Sequence, residues 1–242
     1  MAAPFAAQPR LLLLGDSNFT YNPAERSGLS RWIDSWLPSC WWRGWTDKSV
    51  AALVDAQLPG QVVRVPWRTL RLSRDITHIL HSVFGVLHDR PLVVLVALGQ
   101  NDVHDYTSDT RVDIDESNLK QALQRRVLRV VELCDAHPHV ILRFVAPFND
   151  DPVHFTRNYV EGSEVLDEVI RGTGAYVDLG VRGPFVDDHY HLSDSGRHQM
   201  ATAICSWLGE LNVEEALAAR HSQRISWLSR PRIAQCAWCA RD

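Results

Sequence analysis

No apolar run in this 242-residue chain is long enough to span a bilayer, and the N-terminus, MAAPFAAQPR, has no basic stretch ahead of its short apolar segment. Neither a membrane span nor a secretory leader is expected. Cysteine is scarce: five residues, at 40, 134, 205, 236 and 239, form an odd set without the spacing of a disulfide framework. Such thiols suit a reducing compartment, so cytosol or nucleus is the expected location. An excess of positive charge is missing too. With 25 Lys and Arg against 29 Asp and Glu, the net charge of -4 argues against broad nucleic-acid binding, although a basic C-terminal tail leaves that partner open. Internal repeats and low-complexity tracts are absent, and 45% hydrophobic content is ample for the core of one large α/β domain.

What the chain does have is a series of apolar runs that end in polar residues. Arg10 to Asn18 reads RLLLLGDSN, four leucines stopping at Gly15-Asp16-Ser17. Apolar residues without alternation indicate a strand buried on both faces, as in a parallel sheet. A serine just past such a strand lies where open α/β sheets bind ligands, outside the carboxyl ends of the strands. The pattern recurs at Leu92 to Leu98, LVVLVAL, which runs into Gly99-Gln100-Asn101-Asp102. Further strands are expected at Val62–Pro66, Val140–Val145 and Tyr176–Leu179. Between them, apolar spacing predicts helices over 47–57, 73–88, 115–136 and 164–171, and one capped by Ser193 that buries Ile204, Trp207, Leu208 and Leu211. Strand-helix alternation implies right-handed crossovers and a parallel sheet covered on both faces.

GDS alone is weak, expected by chance in roughly one chain in fifteen of this length. It gains weight from GQND and from Asp188-His189-Tyr190-His191 further on. With GDS, GxND and DxxH in this order, residues 10 to 211 resemble the SGNH (GDSL-like) hydrolase family. The resemblance implies a flavodoxin-like three-layer α/β/α fold with a central, mostly parallel five-stranded sheet. It divides the chain into an SGNH-hydrolase-like domain over 1–211 and a C-terminal helix and tail over 212–242. The implied activity is ester hydrolysis through an acyl-enzyme, with no cofactor and no metal, on a small-molecule, glycan or lipid ester.

A serine hydroxyl needs a base, usually an imidazole oriented by a carboxylate. Matching DxxH gives Ser17 as nucleophile, His191 as base and Asp188 as its orienting partner; Asp187 with His189 is a competing pair. The oxyanion donors implied by the family are the Ser17 backbone N–H, the Asn101 side chain and a glycine N–H from the turn after the second strand. Here that turn reads Pro66-Trp67-Arg68-Thr69-Leu70-Arg71, without glycine. A peptide N–H from Trp67 to Arg71 is the expected substitute. The departure also supports an alternative: a catalytically weak SGNH-like binding module in a larger or nucleic-acid-associated assembly. Metal-dependent phosphoester cleavage by Asp16, Asn101, His189 and His191 is a weaker third reading, since no DxH follows the first strand. Each residue also has a plain role: Ser17 as a helix cap, Asn101 and Asp102 as an Asx turn, Asp188 and His191 as a surface hydrogen bond.

Several other features have a functional and a plain reading. Trp32, Trp36, Trp41, Trp42 and Trp45 crowd the stretch after the nucleophile loop and form either a substrate-binding aromatic wall or part of the core. Lys120, Arg125, Arg126 and Arg129 read as a solvated helix face rather than a phosphate site. Cys236 and Cys239 form a lone CxxC, half of a structural zinc set, and read as free thiols. His78, His81, His88 and His198 fall on expected helices as surface or packing residues.

Overall fold

The leucines of β1 (Arg10–Gly15) are all buried and divide between two core layers, Leu12 and Leu14 on one side of the sheet and Leu11 and Leu13 on the other. Such a strand is stable only with both faces covered, each buried leucine contributing about 2 kcal/mol. The computed structural model describes residues 8–16, 19, 48–63, 71–72, 74–107, 115–147, 157–185 and 191–219.

β2 (Leu92–Ala97) is buried throughout and pairs parallel with β1, from Arg10 opposite Leu92 to Gly15 opposite Ala97. β3 (Val140–Val145) pairs parallel with β2, and the short β4 (Tyr176–Val177) with β3. The order across the sheet is therefore β1-β2-β3-β4.

Helices cover both faces. The layer of Leu12 and Leu14 is closed by α2 (Arg74–Phe84), α4 (Glu116–Asp135) and α5 (Arg157–Arg171), which supply Ile76, Leu80, Leu123, Val127, Leu166 and Ile170. The opposite layer is closed by α1 (Val50–Gln57) and α6 (Asp194–Glu210) through Val54, Met200, Ile204 and Leu208. α3 (Gln100–Thr107) leaves the end of β2 and packs on α5. Ser49 and Ser193 cap α1 and α6 by accepting the N–H of Ala52 and Gly196. Residues 213–219 are helical, and Ala216 is buried in the same layer as α6. No helix among the described residues is long and apolar enough to cross a membrane.

The sheet of the described residues has four strands where the sequence predicts five. The second expected strand, Val62–Pro66, is represented by a single parallel bridge, Val62 to Leu11, outside β1. There Leu11 donates to the Gln61 carbonyl and Val63 to the Leu11 carbonyl; residues 64–66 lie outside the described residues. Two helices differ from expectation. α2 stops at Phe84 instead of running to 88, and α5 starts at Arg157, well before 164. GQND does not make an isolated Asx turn, because Gln100, Asn101 and Asp102 begin α3.

The chain thus leaves β1 toward the Val62 bridge on one side and returns as β2 on the other. At such a reversal the connections diverge and leave a crevice at the carboxyl ends of the two strands. The polar stretches that follow Gly15 and Leu98 both start at this end of the sheet.

Candidate functional site

The turn after β1 is made by contact. A Cβ on Gly15 would lie 2.3 Å from the Phe19 Cβ, so only glycine lets the fully buried Phe19 pack back onto the strand end. Phe19 donates its N–H to the Asp16 carbonyl (3.1 Å), and Asp16 donates its own to the Ala97 carbonyl at the end of β2 (3.4 Å). Asp16 is itself buried. Ser17 and Asn18 lie outside the described residues.

Beside this turn, Gly99 has a φ of +118°, and a Cβ there would meet Leu166 at 2.7 Å and Leu72 at 3.1 Å. The positive φ and the close approach both require glycine, which turns the chain from β2 into α3. Asn101 follows in the first helical turn, half-buried. Asp102 is 1% exposed. Its Oδ2 accepts the Leu72 N–H (2.9 Å) and its Oδ1 accepts Nη1 of Arg126 from α4 (2.6 Å). Burial pushes the Asp102 carboxyl above the usual carboxylate range; the Leu72 hydrogen bond, Arg126 and, more weakly, Arg71 pull it back. Asp102 thereby ties the start of α3 to Leu72 and commits the Leu72 N–H to itself.

The third stretch is held at its base. Phe185 and Leu192 form an antiparallel bridge, and Ser193 donates its N–H to the Pro184 carbonyl (2.9 Å). His191, half-buried, sits one residue before this anchor. Arg197 on α6 is 2% exposed and holds the same place from beneath: Nη1 donates to the Leu192 carbonyl (2.8 Å), Nε to the Lys48 carbonyl (2.9 Å) and Nη2 to Asp194 Oδ1 (3.1 Å). Asp187, Asp188 and His189 lie outside the described residues.

Of the residues singled out from sequence, Asn101 and His191 are therefore described, and Ser17, Asp188, Trp32, Trp36, Trp41, Trp42 and Trp45 are not. Phe19 and Leu192, beside the first and third stretches, are buried in the same core layer. The Asp16 to Ala97 hydrogen bond joins the first stretch to the second. Cys236 and Cys239 lie outside the described residues; His78, His81, His88 and His198 are exposed.

Two arginines went unrecognised in the sequence, and one reading needs correction. Arg126 is not part of a solvated face, since it pairs with buried Asp102. The signal was present: Arg126 follows Leu119, Ala122 and Leu123 by seven, four and three residues, on the buried stripe of α4. Arg197 likewise precedes Met200, Ala201 and Ile204 by three, four and seven. An arginine on a buried stripe needs acceptors inside the fold.

No family model matches the chain, and no curated protein matches it. Solved structures do. A member of the lipolytic protein G-D-S-L family from Veillonella parvula aligns over 84% of this chain and 99% of its own, with a TM-score of 0.53 and 13% identity. LAE5, an alpha/beta hydrolase enzyme from the metagenome of Lake Arreo, Spain, aligns over 86% of this chain and 98% of its own, with a TM-score of 0.51 and 19% identity. At these identities the architecture is what is shared: a parallel sheet flanked by helices, as in the SGNH (GDSL-like) hydrolases.

Proposed function

We propose that the chain is a serine esterase built on a five-stranded, flavodoxin-like sheet, with the segment around Val62 as its edge strand. Ser17 Oγ attacks the ester carbonyl while His191 takes its proton, and Asp188 orients the imidazole. The oxyanion is met by the Ser17 backbone N–H, the Asn101 side chain and a peptide N–H between Trp67 and Arg71. Collapse of the tetrahedral adduct expels the alcohol, which takes the proton from His191 and leaves an acyl-enzyme. Water activated by the same histidine then releases the acid and restores Ser17.

The observation that carries this reading is the junction at the reversal of the sheet. Gly15-Asp16 and Gly99-Gln100-Asn101 lie at adjacent strand ends, linked by the Asp16 to Ala97 hydrogen bond. The fold shared with a lipolytic G-D-S-L family member adds support, although fold alone does not fix activity. The tryptophans from Trp32 to Trp45 are read as the wall of a restricted acyl or sugar pocket. A binding module is favoured by one observation only, the absence of glycine from 66–71. Assaying p-nitrophenyl esters of graded chain length, with Ser17→Ala as control, separates the two. Turnover that resists chelator and disappears in the variant supports the esterase; no turnover of any ester supports the binding module.

A further inference from the structure

Arg197 is costly where it stands. It occupies the buried stripe of α6 beside Met200, Ala201 and Ile204, and an apolar side chain of similar volume would fill that position without desolvating a charge. Its acidic partner among the described residues, Asp194, is 65% exposed, so the ion pair is a minor return. The two remaining bonds explain the residue better: both go to backbone carbonyls, from chain segments that only the tertiary fold brings together. A rigid guanidinium fork holds two such acceptors in a fixed geometry, whereas the single ammonium of lysine, on its flexible stem, fixes neither direction.

Both acceptors belong to meaningful places. Leu192 directly follows His191. Lys48, three residues after Trp45, is the one non-glycine residue with positive φ among the described residues, at +57°. A lysine in that conformation is strained, and the Arg197 bond to its carbonyl holds it there.

We propose that Arg197 is a positioning residue for the His191 base, fixing the peptide that follows His191 against Lys48 so that the imidazole keeps one distance from the nucleophile. The inference rests on the esterase reading of the same site. Arg197 does not touch the reacting atoms; it acts through the Leu192 carbonyl.

The test compares Arg197→Lys and Arg197→Met in the full chain. It measures kcat and KM on the best p-nitrophenyl ester, the rate of Ser17 labelling by a fluorophosphonate, and the melting curve. A displaced base slows proton removal without weakening substrate binding. We expect kcat and labelling to fall together by roughly 10- to 100-fold, with KM within about twofold, and less severely in Arg197→Lys. A folded Arg197→Lys with wild-type kcat and labelling overturns the proposal. Should neither variant fold, Asp194→Ala, at an exposed site, removes the side-chain acceptor of Nη2 and is expected to lower kcat about threefold at constant KM; an unchanged kcat there overturns it equally. A wild-type chain that neither hydrolyses esters nor labels at Ser17 overturns the esterase reading and this inference with it. An active wild type with unaffected variants overturns this inference alone.

Discussion

On the β2 side of the crevice a buried carboxylate, Asp102, accepts one backbone N–H; on the α6 side a buried guanidinium, Arg197, donates to two backbone carbonyls. The two tethers exchange charge sign and backbone partner, and they are balanced differently. Asp102 has a cation on its second oxygen at 2.6 Å, whereas the acid facing Arg197 is mostly exposed. A carboxylate concentrates its charge on two oxygens and must be neutralised when buried. A guanidinium spreads its charge and can be satisfied by neutral carbonyls. Each tether therefore uses the ion suited to the backbone group it must hold, next to a residue of the proposed reaction.

If both sides serve one reaction, the largest effect comes from its centre. Ser17→Ala and His191→Ala should each cut ester turnover by roughly 10⁴-fold or more, with no further loss in the double variant, because the two act as a unit. Steady-state rates with folded variants check this, and additive losses would separate the two sides. An inactive His189→Ala beside a normal His191→Ala would move the base to the competing position.

Next comes the β2 side alone. Asn101→Ala should lower kcat on the order of 10²-fold with KM nearly unchanged, as for a lost oxyanion donor. Unchanged kcat would leave that side with a structural role only.

The tether itself has a pH signature. Asp102 has its folded pKa above the unfolded value. Its contribution to stability is thus fully present below the unfolded pKa, about 4, and is lost as pH rises through the folded pKa. Arg126→Met removes the cation that holds the pKa down. The declining limb should then extend to higher pH, with a loss at neutral pH of about 2 kcal/mol, less than for a fully buried pair because Arg126 is partly exposed. Asp102→Asn should remove the limb. Urea unfolding across the pH range reads both, and a pH dependence identical in all three proteins would show that Asp102 is not the titrating group.

The smallest effect belongs to a neighbour on the same helix. Lys120, part exposed, pairs with the exposed Glu168 at 2.6 Å, so Lys120→Ala should change stability by less than about 1 kcal/mol. A calorimetric loss matching that of Arg126→Met would erase the distinction between the buried and the solvated face of α4.

Some of this was legible along the chain. Unalternated leucines and valines in β1 and β2 dictate a doubly covered parallel sheet, since both sets of side chains must leave water. Spacing alone located α4, and Ser193 its place ahead of α6. The candidate motif residues stand out in the sequence because chemistry at a strand end needs particular groups a few positions apart. The extent of pairing at Val62 was less legible: the expected strand is a single bridge among the described residues, as pairing depends on what lies beside Val62 rather than on its β-branched character.

The apolar strands, the covering helices and the order of the three polar stretches can be read along the chain, because they follow from local periodicity and from burial that each segment carries in its own residues. Folding adds what no local pattern contains: Arg126 turns inward to Asp102, Leu72 gives its N–H to the same carboxylate, and Arg197 grips carbonyls beside His191 and at Lys48. A charged side chain is committed by acceptors supplied from distant segments, and those exist only once the sheet has brought the segments together.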